Sequence, residues 1–225
     1  TIGTANERFE EDALRMLRAF RFVSKLGFDI EPATLQAITD NADLIQTISI
    51  ERIMQELDKI IRGTYRQKAL AYMIETGIST VLYGLEEGIN YVHTIPGTIY
   101  PIEFFIISFV LNDINDIWRF SNKDGRLIVQ TITLHEVTKH EPFNKYILFS
   151  NKLEPCLLAN RINVLLGYHD QEAFIQKMWA EMDVKDVCDL AFKGQDILAL
   201  TTLKKRSVIS LVIDDLLHNV LMGIT

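Results

Sequence analysis

Apolar residues along this chain recur at spacings of three and four, and that restricts it to helices. From Arg8 to Phe22, at about 100° per residue, Phe9, Ala13, Met16, Leu17 and Phe20 gather on one face. The same spacing runs through Ile50, Ile53, Met54, Leu57, Ile60 and Ile61, and helical patterns recur near 123–139, 154–166, 170–181 and 205–222. Only Leu127 to Leu134 alternates with a period that a strand could use. Stop and start signals agree. One helix is predicted from about Glu7 to Gly27, and Pro32 opens the next, which fades near Asn41. Ser49 stands as N-cap of a helix ending at Gly63, and a further helix runs from Tyr65 to Thr76 before Gly77. Pro96-Gly97 and Pro101 mark a turn before the apolar segment Phe104 to Leu111. The expected fold class is all-α.

Opposite the apolar face of the first helix stand Arg8, Glu11, Asp12, Arg15 and Arg18. Arg15 lies three residues after one carboxylate (Asp12) and four after another (Glu11), so these heads can hold each other. Most pairs at such spacing are surface ion pairs worth a few tenths of a kcal/mol. A carboxylate fixed beside a guanidinium also offers an acceptor next to a donor fork, which suits the edge of a planar heterocycle.

Glu11-Asp12-Ala13-Leu14-Arg15, with Arg8-Phe9 before it, Arg18-Ala19-Phe20-Arg21-Phe22 after it, and then Leu26-Gly27-Phe28, closely resembles the neck signature of class II tRNA nucleotidyltransferases. These are the CCA-adding enzymes and their bacterial poly(A) polymerase relatives. The resemblance implies that Asp12 and Arg15 act as a protein template for the incoming nucleotide, with Glu11 orienting Arg15 and with Arg8 and Arg18 nearby. Cytosine and adenine both carry an exocyclic amine beside a ring-nitrogen acceptor, whereas uracil and guanine present a carbonyl beside a ring N–H. A carboxylate and a guanidinium match the first pair and mismatch the second. The run from Ile48 to Leu57 resembles the family's next motif, which makes Arg52 and Glu56 supports for the template helix; an ordinary surface pair is the alternative. Phe192 to Leu198 resembles an element near the family's C-terminus. Where the family continues with a Pro/Gly-rich turn this chain has Lys205-Arg206-Ser207, which puts the tail's contact with tRNA in question.

By the same resemblance the chain divides into neck (1–63), body (64–150) and tail (151–225), multi-helix subdomains in an elongated arrangement. The implied activity is transfer of C and A from CTP and ATP to the 3′ end of tRNA. An A-only poly(A) polymerase or a CC-only relative would share these template residues. Such chemistry needs Mg2+ held by carboxylates after a Gly-Ser or Gly-Gly turn. No Asp-x-Asp occurs in this sequence, so no metal ligand is assigned, and the chain is expected to lack the catalytic N-terminal head and to be inactive alone. The expected partners are the tRNA acceptor end, CTP, ATP and the missing head, with a homodimer left open.

Charge bounds the RNA contact. The net charge of −7 argues against a wide basic plate, although residues 1–70 hold ten basic against eleven acidic side chains and residues 71–150 five against nine. RNA contact is therefore expected on the neck helices and on Lys193, Lys204, Lys205 and Arg206. The longest apolar run is far too short to span a bilayer, and no secretory signal opens the sequence, so a cytosolic protein is expected with Cys156 and Cys188 reduced. A second reading is a helical interaction module, or a metallohydrolase of HD type using His169-Asp170 with His135 or His140 and Asp214. His93 and His218 have no partner at ligand spacing.

Overall fold

Helices alone make up the regular structure among the residues that the computed structural model describes, namely 4–112, 117–190 and 206–222. The packing divides the chain into two units, residues 1–132 and 133–225. The divisions expected at 63/64 and 150/151 both fall inside a unit.

In the first unit, α1 (Ala5–Glu11) and α2 (Leu14–Leu26) replace the single helix expected from Glu7 to Gly27. The correction has a local cause. Asp12 is extended (φ −154°, ψ 97°), its Oδ1 accepts the N–H of Leu14 (3.3 Å), and its carbonyl accepts the N–H of Arg15 (3.0 Å). A short acidic side chain here competes with the helix for backbone donors and starts a new one. The apolar face nonetheless stays continuous: Phe9, Ala13, Met16, Leu17 and Phe20 are all buried. Gly27, at φ 75°, ends α2. The Tyr65 ring covers it so closely that an added Cβ would lie 2.9 Å from Cζ.

Next come α3 (Pro32–Asp40), a 3-10 turn at Ala42–Thr47, α4 (Ile50–Ile61) and α5 (Arg66–Glu75). The face of α4 read from sequence is buried at Ile53, Leu57, Ile60 and Ile61 and packs on α2, which also carries α5. Then follow α6 (Ile78–Val81), α7 (Glu86–Thr94) and α8 (Pro101–Leu111). An all-round apolar helix must be enclosed. From Glu103 to Phe109 every residue of α8 is buried, and its aromatic side joins Trp118 and Phe120, with Phe105 edge-on to Phe120 at 5.0 Å.

The run expected to be strand-capable, Leu127 to Leu134, lies inside α9 (Asn122–Thr138). In the second unit α10 (Lys145–Asn151), α11 (Leu153–Leu165) and α12 (Glu172–Glu181) pack on one another, and α13 (Arg206–Met222) packs on α10. Their core is built from Leu134, Phe143, Leu148, Cys156, Ile175 and Leu217 among others. Both cysteines are free thiols. Among the described residues no helix is long and apolar enough to cross a membrane.

Candidate functional site

The break at Asp12 sorts the charges of the first motif into two sets. Glu11, on the last turn of α1, accepts from Arg8 Nη1 (2.9 Å) and Arg15 Nη1 (2.8 Å). Arg15 Nη1 also donates to the Arg8 carbonyl at 3.1 Å, and both of Arg15's partners among the described residues are met by this one nitrogen. Hydrogen bonds from Arg15 first, then Arg8, hold the Glu11 carboxyl below its ordinary range.

Asp12 turns away to a different set. Arg52 Nη2 reaches both its oxygens, at 3.2 and 3.3 Å, and Arg18 Nη1 lies 3.7 Å from Oδ2. The Asp12 side chain is 23% exposed and that of Arg15 38%, so each is held on one side and open to an incoming molecule on another. Asp12 and Arg15 thus have separate anchors. A carboxylate acceptor and a guanidinium donor fork stand three residues apart at the start of α2, each fixed before anything binds.

The two α4 residues singled out by sequence do not pair with one another in any described contact; each reaches across to the helix break or to α2. Arg52 holds Asp12. Glu56, buried on α4, accepts from Arg21 Nη1 at 3.0 Å and from Lys59 Nζ at 3.1 Å. A buried carboxylate must be paired and hydrogen-bonded to be tolerated, and two cations meet that need. Arg21 was quoted in the motif but not expected as the partner of Glu56. Ser24 was also unread. Its hydroxyl donates to the Ile60 carbonyl, its carbonyl accepts from Tyr65 N–H at 2.8 Å, and so it fastens α2 to the α4–α5 turn.

The remaining candidates fare differently. Lys193, Lys204 and Lys205 lie outside the described residues; Arg206 opens α13, but its side chain lies outside them. Among the described residues no group of three His, Cys, Asp or Glu side chains could hold a metal. The proposed HD set is put to other uses where it is described. His135 is buried with Nδ1 2.7 Å from Asn163 Oδ1, and Asp170 accepts from Asn160 Nδ2 (2.8 Å) and from the N–H of Glu172 (2.9 Å) at the start of α12. The side chain of Asp214 lies outside the described residues.

Comparison with known proteins bears on the family of the chain. Residues 27–86 match a family described as "Probable RNA and SrmB- binding site of polymerase A", and residues 110–224 match one described as tRNA nucleotidyltransferase domain 2. A CCA-adding enzyme of Geobacillus kaustophilus is 31% identical over 219 residues, spanning 88% of this chain and 53% of the relative. A CCA-adding enzyme of Geobacillus stearothermophilus is 51% identical over a shorter stretch of 85 residues. The chain therefore spans about half the length of the curated relatives it matches. In three dimensions it is similar to the Bacillus stearothermophilus CCA-adding enzyme in complex with CTP, with a TM-score of 0.85, 28% identity, and coverage of 99% of this chain and 60% of the other. The Thermotoga maritima CCA-adding enzyme complexed with tRNA shares the fold, with a TM-score of 0.61 at 16% identity over 96% of this chain and 58% of the other. With a family match over more than half its length, this chain belongs to the class II tRNA nucleotidyltransferases.

Proposed function

We propose that this chain is the nucleotide-selecting and tRNA-binding portion of a cytosolic CCA-adding enzyme, working with a catalytic head that holds Mg2+. One observation carries the reading. Asp12 and Arg15 are anchored by separate partners, so an acceptor and a donor stand ready for one base edge without neutralising each other. In this scheme Asp12 accepts from the exocyclic amine of cytosine or adenine while Arg15 donates to the neighbouring ring nitrogen. Glu11 and the Arg8 carbonyl fix the Arg15 head, and Arg52 fixes Asp12, so little ordering entropy remains to be lost when the base arrives. Uracil or guanine would set a carbonyl against the carboxylate and an N–H against the guanidinium, leaving two charged groups unpaired. The similarity to a CCA-adding enzyme in complex with CTP supports the reading.

The test uses the full-length enzyme. Asp12→Asn and Arg15→Ala should each cost ~2–4 kcal/mol in selectivity for CTP and ATP over UTP and GTP. Asp12→Asn should also relax the choice toward UTP, because an amide can turn its donor to a carbonyl. Glu11→Ala should lower rate while leaving the order of preference intact. Folded Asp12→Asn and Arg15→Ala enzymes that choose among the four nucleotides as the parent does would reduce the pair to surface ion pairing. Incorporation of CTP against ATP by the parent decides between the CCA-adding reading and an A-only or CC-only one.

A further inference from the structure

A cleft of about 570 Å³ opens where α8 ends and α9 begins, lined by residues between 109 and 129 and by none of the template residues. Small ligands occupy clefts of about this size. Its back is apolar and fixed. Phe109, Trp118 and Ile128 are buried there, and the Trp118 indole N–H donates to the Tyr83 carbonyl at 3.0 Å. Phe109 meets Phe120 edge-on at 6.1 Å. The apolar surface left open to solvent comes from Phe120, which is half-buried, and from Val129, which is 54% exposed.

Two exposed guanidiniums line the same cleft. Arg119 lies 3.7 Å from Glu51, too far for a hydrogen bond, and Arg126 has neither an ion pair nor a hydrogen bond among the described residues. No carboxylate among the described residues lines the cleft. Asp124, two residues before Arg126, accepts the Ser121 hydroxyl at 2.7 Å instead. The start of α9 adds no free donor from Asp124 or Gly125, whose N–H groups already donate to Ser121 at 3.1 and 2.8 Å. Positive charge is therefore locally unopposed, on a chain whose net charge is −7. An arginine fork matches a carboxylate, sulfonate or phosphate head. A polynucleotide draws its affinity from many phosphate contacts, and two arginines beside one small cup are too few. A bare inorganic anion would leave the apolar surface unused.

We propose that this cleft binds a small amphipathic organic anion, with its acidic head on Arg126 and Arg119 and its flat apolar body against Phe120 and Val129. The site is separate from nucleotide selection and does not rest on the roles of Asp12 and Arg15. Its back wall is held before anything binds, so little ordering is left for the ligand to impose. Gly125 keeps the space open. A Cβ there would meet the Phe120 Cβ at 3.9 Å, an ordinary contact, and no other neighbouring atom within 4 Å. A longer side chain at that position extends into the volume that the ligand uses.

The probe is anilinonaphthalene sulfonate, an aromatic anion, added to the chain carrying Trp179→Phe, which leaves Trp118 as its sole tryptophan. Energy transfer from Trp118 to the dye should saturate. Arg126→Ala should weaken the dye about tenfold, the scale of a lost charged hydrogen bond, and Gly125→Leu should abolish saturable transfer by filling the cleft. Naphthoate should displace the dye, and neutral naphthamide should need about tenfold more. Arg126 is exposed and leucine favours a helix more than glycine does, and circular dichroism melts check that both variants stay folded. No saturable transfer in the parent, or parent-like dye binding in both variants, overturns the proposal. Equal displacement by naphthoate and naphthamide removes the need for charge, and displacement by inorganic phosphate as effective as by naphthoate removes the need for an apolar body; either overturns it. Displacement by an acceptor-stem RNA hairpin that Arg126→Ala abolishes assigns the arginines to RNA and overturns it too.

Discussion

A single side chain can set both the backbone and the chemistry around it, and Asp12 does so. Its Oδ1 takes the Leu14 N–H, which ends α1 and starts α2, and the same carboxylate is held by Arg52 from α4. The break points Glu11 and Asp12 at different arginines, whereas an unbroken helix would leave both competing for Arg15. At this scale burial also decides reactivity. Cys156 is buried in the second unit's core, and burial pushes its thiol up to about 12, whereas Cys188 is exposed. The thiolate is the nucleophile, so a buried thiol that cannot ionise is inert. A disulfide-exchange reagent at mildly alkaline pH should therefore titrate one equivalent in the native chain, at Cys188, and a second only in denaturant. Two rapid native equivalents, or one lost in Cys156→Ala but kept in Cys188→Ala, would contradict the packing around α10 and α11.

At the scale of elements, stability of the site depends on how closely α2 and the end of α4 approach. A Cβ on Gly63 would overlap the Ser24 hydroxyl and lie 2.6 Å from the Ser24 carbonyl oxygen. Gly63→Ala should cost about 1–3 kcal/mol as overpacking, lowering the melting temperature by ~2–4 °C per kcal/mol for a chain of this size. Ser24→Ala should not rescue it, because the obstructing carbonyl belongs to the backbone; full rescue would show that only the hydroxyl was in the way. Much of this layer was legible in sequence. The α4 face, the Gly27 and Gly77 stops and the patterns of α9, α11, α12 and α13 follow from short-range spacing. The break at Asp12 was not legible, because the apolar face from Phe9 to Phe20 runs through it without a gap; the available signal was an aspartate able to cap the next turn. Arg52 and Glu56 were picked out only through resemblance, since their partners Asp12 and Arg21 lie 40 and 35 residues away. Arg66 was not singled out in the sequence. It is buried, donating to the carbonyls of Ile95 (2.8 Å) and Gly97 (3.1 Å), and burial lowers its pKa. No local pattern encodes such pairings, because the partner is a turn that only the fold brings near.

Across the whole molecule the two units differ in how they should answer to acid. The first, residues 1–132, carries one histidine, His93; the second carries His135, His140, His169 and His218. His135 is buried and its pKa is lowered, chiefly by desolvation. The Asn163 hydrogen bond and Glu136 oppose that lowering, and Lys139 and His140 add to it. Asn163 Nδ2 donates to Thr138 Oγ1 at 3.1 Å, which turns its Oδ1 toward His135 Nδ1, so the neutral ring carries its proton on Nδ1. The Tyr168 ring stands edge-on at 5.6 Å. The sign follows from the lowered pKa. The fold favours the neutral ring, so this contribution to stability is complete above the ordinary histidine pKa of about 6.5 and is lost as pH falls toward the lowered value. Between about pH 7.5 and about pH 5.5, hydrogen exchange corrected for its intrinsic pH dependence should lose protection in α10, α11 and α12 before it does in α2, α4 and α5. His135→Gln keeps a donor for Asn163 and cannot charge. It should cost stability at neutral pH yet flatten the acid response of the second unit. Equal loss of protection in both units, or an unchanged acid response in His135→Gln, would mean that the buried ring does not link this unit's stability to pH.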